Sequence, residues 1–237
     1  MKKLFTAALA LLLLITCFAG SALAAGKLVV AQENFYVVNG YSVYGYAFAR
    51  VENKGDRPVE YSASLLEIYD KNGDTLASDT YPSVHGRYLQ PGEYAYLTQY
   101  KKVEGVDTYL DVDDYVLTIT GKSSSGKTTL RLNCDGATYT PDMQVSRYST
   151  RNRIEATFTN NTDETIFDLT VVMAVLDADG NILAVESQSL YSGVGVCPGA
   201  SITVRADVSD AMREAYERAG LTPDHVDAYA YTYVEEE

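Results

Sequence analysis

Ser64, Leu66 and Ile68 alternate with Leu65, Glu67 and Tyr69, the period-2 pattern of a strand with one buried face, and Leu66 and Ile68 are expected to point inward. The run meets Asp70-Lys71-Asn72-Gly73, where Asp70 can accept hydrogen bonds from the turn backbone and Gly73 can take positive φ. Leu76 then opens a second run. The same outline returns as Met173-Ala174-Val175-Leu176, Asp177-Ala178-Asp179-Gly180 and Leu183, so two hairpins are predicted 107 residues apart.

That offset holds without a gap over much of the chain. It pairs Asn53 with Asn160, Asp56 with Asp163, Ile68 with Val175, Pro91 with Pro198 and Gly92 with Gly199. Val112-Asp113-Asp114-Tyr115 matches Val226-Asp227-Ala228-Tyr229 at offset 114, so seven extra residues enter the second unit. A period this long exceeds that of solenoid repeats and marks a tandem domain duplication.

Most remaining runs are short, rich in β-branched or aromatic residues and bounded by turn formers, which favours stacked antiparallel sheets over a βαβ fold. The one convincing helix lies in the insertion. Ser209 can cap it, Ala211, Met212, Ala215, Tyr216 and Ala219 share a face, and Gly220 ends it before Pro223. The expected fold is all-β: two tandem antiparallel β-sandwich domains with one short helix in the second, its apolar stripe covering one end of the sandwich.

With those elements placed, the chain resembles the FxLYD-type domains of exported bacterial proteins. The signature of that family reads here as Leu66-Glu67-Ile68-Tyr69-Asp70 and, more loosely, Met173-Ala174-Val175-Leu176-Asp177, followed by Pro91-Gly92 and Pro198-Gly199. Leu66 and Met173 stand where Phe is usual, Ile68 and Val175 where Leu is, and Leu176 replaces the Tyr. The resemblance implies immunoglobulin-like sandwiches serving as an envelope or secreted accessory module, and it carries over no catalytic residue.

Residues 1–24 read as a signal peptide: Lys2 and Lys3, an apolar stretch from Leu4 to Phe18, and the cleavage site Ala22-Leu23-Ala24. Leu14-Ile15-Thr16-Cys17 has a lipobox outline, but Thr16 fits poorly there, so lipid anchoring at Cys17 is the lesser alternative. The domain plan is 25–121 for the first sandwich, 122–128 for a linker and 129–237 for the second. No later apolar run reaches the ~20 residues of a membrane-spanning helix.

Composition narrows the partners. Removing residues 1–24 takes two Lys and no acid from 19 basic and 32 acidic residues, leaving a formal charge of −15. Such a surface repels nucleic acid and anionic membrane. Cys134 and Cys197 remain after processing, and their spacing leaves a disulfide and two free thiols equally open. With only two His and no CxxC, no zinc site or other cofactor is expected.

Gly121-Lys122-Ser123-Ser124-Ser125-Gly126-Lys127-Thr128 matches the P-loop string, yet Thr128-Thr129-Leu130-Arg131-Leu132 continues as a β run where the phosphate site needs a helix N-terminus. A flexible linker is expected there and no nucleotide. The Asp70 and Asp177 loops place Gly fourth, not sixth, and lack a Glu at position twelve, so turns are preferred to calcium loops. Asp111, Asp113 and Asp114 are expected on solvated surface. His85, in the loop at residues 81–86, and His225, after Pro223-Asp224, are expected to be solvated loop histidines; the hydroxyls or carboxylates near each in sequence are the only footing for a hydrolase, since a catalytic set is recognised by geometry.

The chain has 20 Tyr and no Trp. Tyr44, Tyr46 and Phe48 share one strand face and Tyr229, Tyr231 and Tyr233 another; ordinary sheet packing is preferred for both, and whichever face stays exposed is the candidate binding face. The functional expectation is a secreted or cell-envelope, non-enzymatic interaction module with an extracellular protein or glycan as partner. The alternatives are a carbohydrate-binding module using the Tyr faces and, further off, an exported hydrolase.

Overall fold

The computed structural model describes residues 26–124, 126–190, 193 and 195–235; the signal segment and Cys17 lie outside them. Eight strands form the first unit: β1 (Leu28–Asn39), β2 (Val43–Asn53), β3 (Val59–Tyr69), β4 (Thr75–Asp79), β5 (Ser83–His85), β6 (Tyr88–Leu89), β7 (Tyr94–Val103) and β8 (Asp114–Ser123). The second holds β9 (Lys127–Ser146), β10 (Ser149–Thr159), β11 (Leu169–Leu176), β12 (Ile182–Leu190), β13 (Ser201–Val208), helix α1 (Asp210–Arg218) and β14 (His225–Glu235). The fold is all-β with antiparallel pairing throughout these sheets.

The two halves pair their strands in the same order. In the first, β1-β2-β7-β5 make one sheet and β3 the centre of another, flanked by β4 and β6 on one side and β8 on the other. In the second, β9-β10-β13 repeat β1-β2-β7 and β12-β11-β14 repeat β4-β3-β8. The 20-residue β9 serves both sheets: Lys127–Asn133 pairs with β14, and residues from Cys134 onward pair with β10. β1 runs unbroken from Leu28 to Asn39, with a register shift between Val30 and Gln32.

Each unit buries the inner faces of its two sheets against each other. Val43, Ala47, Leu66, Ile68 and Val103 form one patch of the first core, and Ala49, Val51, Val59, Tyr61 and Leu97 another. Leu66, Ile68 and Met173 are fully buried, as their alternation predicts. The hairpin turns also follow the sequence. Asp70 accepts from the amides of Asn72 (2.8 Å) and Asp74 (2.9 Å), Asp177 from those of Asp179 (2.9 Å) and Asn181 (2.7 Å), and Gly73 and Gly180 take φ of 82° and 84°.

A second repeated device is visible only in three dimensions. Asn53 and Asn160 are both fully buried polar residues. The Asn53 side-chain amide donates to the carbonyls of Arg57 (2.8 Å) and Leu89 (3.0 Å) while its Oδ1 accepts from Gly55. Asn160 donates to Glu164 and Val196, both at 2.7 Å, and accepts from Thr162. The backbone carbonyls of the same two residues accept from Gly92 and Gly199. Each Asn thus ties a strand end to the Pro-Gly turn. Asn53→Leu and Asn160→Leu should each strand buried backbone groups and cost about 2–4 kcal/mol by urea unfolding; near-equal losses from the two variants would show that the clamp is equivalent in both units.

Helix α1 begins where the sequence places it, with Ser209 Oγ accepting from the Met212 amide at 3.1 Å and Gly220 at φ 79° just past its end. It buries Met212, Ala215 and Tyr216. It does more than cover one end of its own sandwich: Arg218 reaches the first unit, donating to the Val37 carbonyl at 2.7 Å and lying over the Tyr109 ring.

Candidate functional site

Sheet β1-β2-β7-β5 is covered on both faces. Its inner face packs on β3, and alternate residues Tyr36, Tyr46, Phe48, Tyr94 and Tyr96 turn outward onto the second unit. The proposed Tyr face is therefore largely a seam. Phe48 is 2% exposed, Tyr229 2% and Tyr231 7%; Tyr44 and Tyr46 are half-buried, and Tyr233, at 47%, opens to solvent. The two rows belong to facing walls, because burying two aromatic sheet faces against each other removes more apolar area from water than leaving either free.

Tyr229 sits at the middle. Its hydroxyl donates to the His85 carbonyl at 2.6 Å and accepts from the Tyr96 amide at 3.2 Å. The rings of Tyr96 and Tyr229 stack with centroids 6.3 Å apart. The Arg131 guanidinium lies 3.5 Å from the Tyr229 centroid and 3.9 Å from that of Tyr94, and it donates to the Tyr94 carbonyl at 2.7 Å. Asp227 closes the cluster, accepting from the hydroxyls of Tyr94 (2.6 Å) and Tyr96 (2.8 Å). Burial pushes the Tyr94 phenol up to about 12, the hydrogen bond to Asp227 adding to the shift, and raises Tyr96 further through burial and the Asp227 charge.

The ends of the seam are pinned by polar contacts. Asn34 Oδ1 accepts from the Ile182 amide at 2.8 Å, and the Tyr36 hydroxyl donates to the Ile182 carbonyl at 2.8 Å. Asn181, in the second hairpin turn, accepts from Gln32 and Asn34. Its counterpart in the first turn is the charged Asp74, which is exposed. One turn is docked and its repeat is not.

No family model matches the chain, and no curated protein matches it. Among solved structures it is similar to red sea bream transglutaminase at 10% identity and a TM-score of 0.19, over 88% of this chain and 32% of that one. A second is the C-terminal globular domain of an oligosaccharyltransferase from Pyrococcus abyssi, at 7% identity and 0.20, over 90% and 50%. A third is the Gt strain of infectious bursal disease virus, at 8% and 0.19, over 89% and 66%. The chain spans between about a third and two thirds of their lengths, and superpositions at this level carry no inference.

The remaining candidates disperse. His85 is buried in the seam, and His225 is exposed beside Asp224 in a separate cleft of about 510 Å³ with Tyr139 and Tyr216. They do not share a site. Gly121–Ser123 ends β8 and Lys127–Thr128 begins β9, so strands stand where a P-loop needs a helix. Within the expected 122–128 linker, residues 122–123 and 127–128 belong to those strands, the Ser124 hydroxyl donates to the Lys127 carbonyl at 2.8 Å, and Gln90 donates to the Thr128 hydroxyl at 2.8 Å.

Asp111 accepts from the amides of Asp107 and Thr108, which lower its carboxyl, and Asp114 accepts from the Tyr115 amide. Cys134 and Cys197 are free thiols. β10 stands between β9, which carries Cys134, and β13, whose lead-in turn carries Cys197. Burial pushes the Cys134 thiol up to about 12, so it stays protonated.

A groove of about 490 Å³ runs beside the seam, lined by Tyr61, Tyr81, Pro82, Arg87 and Tyr233. Tyr81, 86% exposed, and Tyr233 flank it from different units. Sequence alternation singled out Tyr233 but gave no reason to join it to Tyr81, whose neighbour Pro82 marks only a turn.

Proposed function

We propose that the protein is an exported, non-enzymatic interaction module of the cell envelope or its surroundings, built from two immunoglobulin-like sandwiches of FxLYD type. The observation that carries this is the groove beside the seam. Tyr and Arg are among the residues most enriched at the energetic centres of protein interfaces, and a Tyr-lined groove held between two docked units is pre-organised for a protein partner. The repeated strand order supports the duplicated-domain reading. Among the described residues, no helix is long and apolar enough to cross a membrane.

A glycan partner is the second reading, favoured by the exposed Tyr81 and Tyr233 rings. Binding of the purified mature chain to intact source cells tests both. A Tyr81→Ala/Tyr233→Ala variant should bind at least tenfold more weakly with an unchanged melting temperature. Loss of binding after protease treatment of the cells supports a protein partner, and retention with recognition on a glycan array supports the second reading. Equal binding by wild type and variant would refute the assignment of this groove.

A further inference from the structure

A second cleft, of about 320 Å³, opens between the units away from that groove. Its first wall is set by strand register. Tyr46 lies opposite Tyr100, Phe48 opposite Thr98 and Thr98 opposite Ser83, and His85 lies opposite Tyr96. Directly opposed residues of an antiparallel pair share a face, so these side chains all turn toward the second unit. The other wall comes from β12 with Ala184 and Glu186, from β13 with Asp207, and from α1 with Met212.

The chemistry of the lining is one-sided. Tyr46 and Tyr100 stack with centroids 5.1 Å apart, and Phe48 stacks on Tyr46 at 6.3 Å. Two carboxyls and neither Lys nor Arg line the cleft. Asp207 accepts from Arg153 Nε at 3.0 Å, whereas Glu186 has no ion pair or hydrogen bond among the described residues. His85, 7% exposed, likewise has no hydrogen-bond partner for its ring among them, and the buried Thr98 hydroxyl has none. Burial holds His85 down at about 4, so it supplies no compensating positive charge at neutral pH. Burial, reinforced by Asp207, pushes Glu186 up to about 7.

An apolar aromatic wall beside a carboxyl with no protein partner suits an organic cation, whose alkyl groups pack on the rings while its charge meets the carboxylate. The volume lies at the low end for ligand sites and suits a small molecule. We infer that this cleft binds a small organic ammonium ion, with the stacked Tyr46, Phe48 and Tyr100 as its apolar wall, Glu186 as counter-charge, and His85 and Thr98 free to hydrogen-bond a polar tail. The site goes beyond the partner groove and shares none of its residues.

Cation binding favours ionised Glu186, so affinity should rise with pH through neutrality. The titratable groups lining the cleft with Glu186 are Asp207 on β13 of the same wall and, across the cleft, His85 on β5, Tyr46 on β2 and Tyr100 on β7. Calorimetric titration of the full mature chain with choline is expected to show affinity about tenfold higher at pH 8 than at pH 6, as proton linkage to a group titrating near 7 requires. Glu186→Gln and Tyr100→Leu should each weaken choline at least tenfold. Tyr100 is half-exposed, so its variant keeps the fold. The neutral isostere 3,3-dimethylbutan-1-ol should not bind.

Vesicles of phosphatidylcholine separate a lipid headgroup from a free ion, and binding to either supports the cation chemistry. Absence of binding by both choline and putrescine at millimolar concentration, equal binding of the neutral isostere, or full retention in Glu186→Gln would overturn the proposal.

Discussion

Tyr229→Ala should lower the melting temperature by roughly 6–20 °C. Truncating a fully buried aromatic residue costs about 3–5 kcal/mol, and each kcal/mol shifts the midpoint of a chain this size by about 2–4 °C. The loss has identifiable parts: the stacked Tyr96 ring, the Arg131 guanidinium 3.5 Å from the centroid, and the two backbone groups bonded by the hydroxyl. Tyr229→Phe isolates the last part, leaving the His85 carbonyl and Tyr96 amide unpaired at a cost of about 1–3 kcal/mol. Calorimetric scans check both values. They also test whether the seam couples the units, because the wild type should melt in one transition and Tyr229→Ala should separate it into two; two transitions in the wild type would refute the coupling.

Glu186→Gln should stabilise the protein at pH 8 by up to about 3 kcal/mol. Its carboxyl moves from 4.5 to about 7 on folding, and each pH unit of such a displacement is worth about 1.4 kcal/mol. A raised carboxyl contributes stability that is present below pH 4.5 and lost as pH rises through 7. His85 has the opposite sense. Its depression from 6.5 to about 4 contributes stability present above pH 6.5 and lost as pH falls through 4.

Between pH 4.5 and 6.5 the two slopes oppose each other, so these groups leave little net pH dependence in the wild type. Glu186→Gln removes one of them. Urea unfolding from pH 4 to 8 should then show stability falling toward acid more steeply than in the wild type, by about 1.4 kcal/mol per pH unit. A variant profile parallel to that of the wild type would remove Glu186 from the balance.

Local signals were legible because they are short-range. An Asp carboxylate three residues before a Gly specifies its own turn, and Ser209 caps the helix it precedes, without help from the rest of the chain. Asn53 and Asn160 were visible as a matched pair, but their role was not: the carbonyls they hold are contributed by residues 36 positions onward as well as by neighbours. The candidate sites were least legible. Tyr46, His85 and Glu186 lie on strands from two units, and nothing in their spacing reports that they face one cleft.

By itself, the sequence determined the all-β class, the duplicated order of strands, both Asx turns and the single helix, since alternation, turn chemistry and capping act within a few residues. Tertiary structure decided which Tyr rows are surface and which are seam. Alternation says that Tyr44, Tyr46 and Phe48 share a face and that Tyr229, Tyr231 and Tyr233 share another. It cannot say that the two faces meet, because a strand buried on its second face by another unit has the same period as one whose second face meets water.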